Sequence, residues 1–223
     1  MRLLDRDWEI LKPMHDSVLI ESQYLPPIEF FCLIKQYESL HLEVHENFQK
    51  QTYRNRCYIL GANNVQCLTI PVVKANSKQS IGDLKIDYSR PWHKEHWRSI
   101  KSAYGKSPFF EFFEPHFENP YLNPPEKLLD FNGQLLTICL KLLGLKSRII
   151  PTSEYLKSPK KGILDARSLI NPKVDFKKRS IYMPEKYLQV FGKDFVPNLS
   201  VIDLLMNEGP NSLNLVTKSI RTE

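Results

Sequence analysis

The chain has 223 residues, 42% of them hydrophobic and 25% charged, a soluble globular balance that excludes a disordered or fibrous protein. At this length a core can bury roughly 70% of the unfolded surface, so neither a disulfide nor a structural metal is needed. No run reaches the ~18 apolar residues of a membrane span. The first residues, MRLLDRDWEILKP, mix both charge signs, which excludes a signal peptide and predicts a cytoplasmic protein.

In chain order, SVLIES (17–22) predicts a buried strand. Pro26 and Pro27 then suit the first turn of a helix over 28–40, with apolar positions 28, 31, 32 and 34 on its buried face. HLEVH (41–45) predicts a second strand, and strand, helix, strand favours a parallel sheet. Gly61-Ala62-Asn63-Asn64 is turn chemistry between YIL (58–60) and VQCLTIPVV (65–73), a hairpin pattern. A further strand is expected over DLKID (83–87). Three helices follow, in 90–105, 108–120 and 124–145, the last ended by Gly144. SRIIPT (147–152) predicts a strand, and 153–185 reads as irregular. The end of the chain predicts two helical pieces, with Ser200 or Asn198 as cap and Gly209-Pro210 as break. The expected fold is a single α/β domain over 1–223, with a mixed or mostly parallel sheet flanked by helices and a helical second half.

Cys32, Cys57, Cys67 and Cys139 have neither paired nor zinc-type spacing and read as reduced, buried small hydrophobes. His93 and His96 share a helix face but lack a third ligand, so no metal and no cofactor is expected. Between Lys146 and Lys193, twelve basic residues face four acidic ones. That excess suits either a polyanion face or a solvated lysine-rich surface. No RRM, KH, helix-turn-helix or zinc-finger pattern supports a nucleic-acid partner.

The densest polar cluster is Lys50, Arg54, Asn55 and Arg56. In an extended segment Arg54 and Arg56 point to one side, where two guanidinium forks can grip a phosphate or carboxylate. Internal pairing with Glu46 or Asp203 is the alternative. Glu21 and Tyr24 lie in the loop after the first strand, where α/β folds gather ligands. His45 abuts Glu46 beside the arginines. His96 is the best-placed proton-transfer group, since histidine titrates near neutrality, and Arg98 is expected with it at a site rim. Asp165 and Arg167 are expected to pair locally.

Four blocks, LIESQYLPPIEFF, NFQKQTYRNRCYILGANNVQCLTIPV, PWHKEHWRSIKSAYGKSPFFEFF and FVPNLSVIDLLMNEGPNSL, resemble in order the WbqC-like protein family, most closely its Bacteroidetes-type members. The resemblance implies a bacterial protein encoded with O-antigen and other surface-polysaccharide genes. It departs from the family at Ile20, where a His-Gln-Pro-x-Tyr-Leu-Pro motif would begin with histidine, and at His45-Glu46, where an acidic pair is common. A strand, a histidine-bearing loop and a helix is similar to nucleotidyltransferases of the HUP class. The resemblance thus implies a transferase acting on a nucleotide-activated or phosphorylated small molecule. In that enzyme His96 and Glu21 are the expected catalytic residues. Tyr24, His45, Lys50, Arg54, Asn55, Arg56 and Arg98 are the expected binding residues. The lost histidine keeps a non-catalytic binding or scaffolding member of the same pathway as the alternative.

Overall fold

Four short β-branched or apolar segments make the centre of the molecule, which is a computed structural model describing residues 16–73 and 79–221. They are β1 (Ser17–Glu21), β2 (Ser39–Glu43), β5 (Arg148–Pro151) and β6 (Ile163–Asp165), in the order β5-β2-β1-β6 with every pairing parallel. Ahead of β5 come three helices, α2 (Trp92–Tyr104), α3 (Phe110–Leu122) and α4 (Leu128–Leu143). The shorter α1 (Ile28–Ile34), α5 (Val201–Glu208) and α6 (Ser212–Lys218) pack together, joining the two ends of the described chain. A separate antiparallel hairpin, β3 (Arg56–Leu60) and β4 (Val65–Thr69), lies against α2 and α5. One contiguous apolar core runs through sheet, hairpin and helices. The architecture is therefore α/β with a parallel sheet flanked by helices, which gather over 92–143 and 201–218 with a largely irregular stretch between them.

The helix starts and stops follow local chemistry. Gly144 takes φ 70°, a left-handed conformation that ends α4, and Leu145 N–H reaches back to the Leu140 carbonyl. Ser200 caps α5 by accepting from Ile202 N–H at 3.4 Å. Gly209 ends α5 at φ 51° and ψ −123°, and a Cβ there would sit 2.4 Å from the Phe109 ring. Gly209→Ala should therefore cost roughly 2–4 kcal/mol, from backbone strain and a displaced ring together. A urea titration checks it, and a loss below about 1 kcal/mol would show that the ring moves freely.

Five expectations are corrected. The first helix stops at Ile34, because 39–43 is drawn into the sheet beside β1, two residues earlier than its apolar pattern suggested. Residues 83–87 form no strand; Asp83 ends a 3-10 turn (Ile81–Asp83), and Lys85 and Ile86 make isolated bridges to Lys127 and Val72. β4 ends at Thr69 because Pro71, just beyond, has no N–H to extend the ladder. The 153–185 stretch contains β6, whose three residues are too few for a hydrophobic period to show. All four thiols are free, but Cys67 is exposed instead of buried. Among the described residues no helix is long and apolar enough to cross a membrane.

Candidate functional site

The carboxyl edge of the parallel sheet carries acidic residues that an apolar core must neutralise. Glu21 and Glu43 end β1 and β2 and are register partners, each about 1% exposed or less. Glu46 follows β2 and is also buried, and Asp165 ends β6. A buried carboxylate is tolerated only when paired and hydrogen-bonded, and two arginines do this here.

Arg54 is among the largest fully buried side chains of the protein. Its Nε and Nη2 each donate to Glu46 at 2.6 Å, a two-pronged fork. Its Nη2 also reaches Ser168 Oγ at 3.3 Å, and Nη1 lies 3.8 Å from Glu21. Asn132 of α4 holds the Arg54 carbonyl at 2.8 Å. Glu21 further accepts from Gln23 Nε2 and from the backbone N–H of Ser168, whose φ of 59° turns that N–H inward. Burial pushes the Glu46 carboxyl up from its ordinary range, against the hydrogen bonds and charge of Arg54.

The second arginine is Arg167. It grips Asp165 through Nε and Nη2, and its Nη1 donates to Glu43 at 3.1 Å. The local Asp165–Arg167 pair is thus present, and it extends to the sheet. These contacts and charge hold the Asp165 carboxyl below its usual value. Glu43 also accepts from Thr152 Oγ1 and from His45 N–H. Arg167 stacks over the exposed Tyr155 ring at 5.0 Å.

Above this edge lies a cavity of about 710 Å³, walled by His45, Glu46, Asn47, Phe48, Gln49, Lys50 and Tyr155. It opens on the side where ligands of α/β proteins bind. His45 is exposed, with Nε2 2.9 Å from the Thr152 carbonyl oxygen. Among the described residues no group of three His, Cys, Asp or Glu is placed to hold a metal ion.

Arg54 and Arg56 do not converge. Residues 51–55 are turns, with Gln51 at φ 61°, so the extended alternation that would align the two arginines is missing. Arg54 turns into the sheet edge, whereas Arg56 opens β3 and lines a different cavity with Lys50 and Asn55. Asp203 meets neither; it accepts from Tyr187 Oη and Gln189 Nε2.

His96 lies in the core instead of at a rim. Its Nδ1 is 3.0 Å from Tyr24 Oη, which is 2.6 Å from Tyr121 Oη, and the Trp92 ring meets the imidazole edge-to-face at 5.1 Å. Burial pulls its pKa down to about 4, opposed by a hydrogen bond to the Thr69 backbone and assisted by His93. Tyr24 is therefore a core residue of this chain of hydroxyls. Arg98 is exposed on α2 and, among the described residues, donates only to the Lys94 carbonyl. Of the expected residues, the edge and its cavity bring together Glu21, His45, Lys50 and Arg54.

Glu43, Thr152, Tyr155 and Ser168 were missed. Glu43 carried a usable signal: an acid inside the apolar alternation of HLEVH has to be paired. Ser168 carried none, because its backbone conformation decides its role.

The WbqC-like protein family matches residues 21–174 and 164–215, a span that includes both arginine networks. Uncharacterized protein Rv1507c of Mycobacterium tuberculosis (strain ATCC 25618 / H37Rv) is 26% identical over 227 residues, covering 88% of this chain and 95% of that protein. No solved structure matches the chain significantly. Matched over most of its length, the chain belongs to the WbqC-like protein family.

Proposed function

We propose that this protein is a transferase of bacterial surface-polysaccharide biosynthesis, acting on a nucleotide-activated or phosphorylated small molecule. The observation that carries the reading is the 710 Å³ cavity at the carboxyl edge of the sheet, with Glu46 in its wall. Glu46 is held by Arg54 and backed by Glu21. A rigid, charged floor beneath an open cavity is what oriented group transfer needs. Glu46 is the proton acceptor for the attacking group: it stands in the cavity wall, and burial raises its carboxyl above the ordinary range, which makes it a stronger base. His45 and Lys50 contact the ligand, and Arg54 positions Glu46. His96, sealed in the core, takes no part.

A second reading, a non-catalytic binding member of the same pathway, is favoured by Ile20 standing where the family motif places histidine. The two separate in one series of measurements. Nucleotide sugars, free nucleotides and sugar phosphates are screened by thermal shift and then by product analysis. A ligand at about 100 times its Kd should add about 2.7 kcal/mol, roughly 5–11 °C for a chain of this size. His45→Ala and Tyr155→Ala should reduce that shift. Binding with turnover supports the transferase, binding without turnover supports the second reading, and no shift from any of these ligands sinks both.

A further inference from the structure

Three of the arginines that approach the core are matched to carboxylates: Arg54 to Glu46, Arg167 to Asp165 and Glu43, and Arg179 to Glu29. Arg56 is the contrast. It is half-buried at the start of β3, and among the described residues no carboxylate lies within ion-pairing distance of it. Its Nε is closed off from water and has no hydrogen-bond partner there. A guanidinium N–H in that state is costly, and an anionic oxygen placed against it removes the cost.

Arg56 lines a cavity of about 440 Å³ with no acidic residue among the described residues of its wall. Lys50 adds a second positive charge to the wall. Asn55, 7% exposed, adds an acceptor: its Nδ2 is fixed to the Ile70 carbonyl at 2.9 Å, which leaves Oδ1 buried and unpartnered among the described residues. Thr69 is the cross-strand partner of Arg56 and lines the same space. Two cations, a fixed amide oxygen and an unmet N–H suit an anion that also carries a hydroxyl or a proton.

We propose that this cavity is a phosphate subsite, holding the phosphoryl or diphosphoryl part of the small molecule; it rests on the preceding reading that such a molecule is the ligand. Phe48 and Lys50 wall both cavities. A ligand anchored by phosphate at Arg56 can therefore extend past Lys50 toward Glu46. Charge is divided between the two spaces: the anion goes to the cavity without carboxylates, and the reacting group to the one that has them.

Inorganic pyrophosphate is the probe, titrated calorimetrically into the full chain at low salt. Arg56→Ala should weaken it roughly ten- to hundredfold, and Arg56→Lys by less, because the charge stays and the fork is lost. Thr69→Trp should also weaken it at least tenfold by filling the space without removing a charge, with melting curves confirming that each variant is folded. The pair Lys160→Ala and Lys161→Ala, on the exposed lysine-rich stretch, should leave the affinity unchanged. No binding to the parent at millimolar pyrophosphate, or binding that ignores Arg56→Ala and Thr69→Trp, overturns the subsite. So does binding lost only in the lysine pair. If pyrophosphate behaves as expected but no nucleotide sugar or sugar phosphate binds, the subsite stands and the transferase reading falls. If such a ligand binds with an affinity indifferent to Arg56 and Thr69, the reverse holds.

Discussion

Arg54→Ala should lower the stability of the protein by about 3–5 kcal/mol, roughly 6–20 °C in melting temperature for a chain of this size. The cost comes from what remains behind. Glu46 loses both prongs of its fork, Glu21 loses the nearby positive charge, and both are almost fully buried. Arg54→Lys should fall between, since an ammonium keeps the charge but cannot reach both Glu46 oxygens. The double replacement Arg54→Met with Glu46→Leu should recover part of the loss, because Glu46 is no longer stranded, whereas Glu21 still lacks its nearby cation. Arg56→Ala, by contrast, should melt close to the parent, as no carboxylate depends on Arg56 among the described residues. If Arg54→Ala melted within about 1 kcal/mol of the parent, the edge network would be a surface feature and the floor of the candidate site would not be rigid.

Acidification should destabilise the protein through His96. Its folded-state pKa is pulled down to about 4 by burial, against about 6.5 for an unfolded histidine. Between those values the unfolded chain binds a proton that the folded one refuses. Stability is thus fully present above pH 6.5 and is lost as pH falls towards 4, by about 3 kcal/mol. Asp203 works in the opposite direction: burial raises its pKa, so it favours the folded state as pH falls. The measurement is therefore a difference. Urea midpoints of the parent and of His96→Gln are compared at pH 7 and pH 4.5, and the parent should lose roughly 2–3 kcal/mol more. Equal losses would mean that His96 is protonated in the folded protein and is not sealed by Tyr24 and Trp92.

The sequence made the large elements legible and the polar core illegible, for a physical reason. A helix announces itself over many residues: the leucine face and Gly144 of α4 fix its course and its end, and Ser200 marks the start of α5. A three-residue strand such as β6 has no period. The arginine cluster is not legible in the sequence, because its alignment depends on whether the chain is extended through Asn55. Turns over 51–55 send Arg54 and Arg56 to different places, and no propensity rule distinguishes those outcomes. Glu29 is a similar case. It lies in the wholly buried α1, and only the fold brings Arg179 within 2.6 Å, 150 residues later. The lysine-rich stretch was read as one surface feature, yet it contributes Arg167 and Arg179 to buried carboxylates while Lys157, Lys160 and Lys161 stay exposed.

The pairing of β1 with β6 has a consequence for the order of assembly. β1 and β2 are made early, but β6 covers the open edge of β1 only after Asp165 has been synthesised. Ser168 and Arg167, which satisfy Glu21 and Glu43, arrive just afterwards. The α1 helix waits longer still, for Arg179, Asn198 and Leu199. A ribosome-bound chain therefore carries three unsatisfied buried-type carboxylates and two bare strand edges through most of its synthesis. Contacts this distant in sequence slow closure and leave the nascent chain prone to association. A chain stopped before residue 179 lacks the arginine that pairs with Glu29 and the segment that caps α1, and should remain open to protease where the full chain is closed.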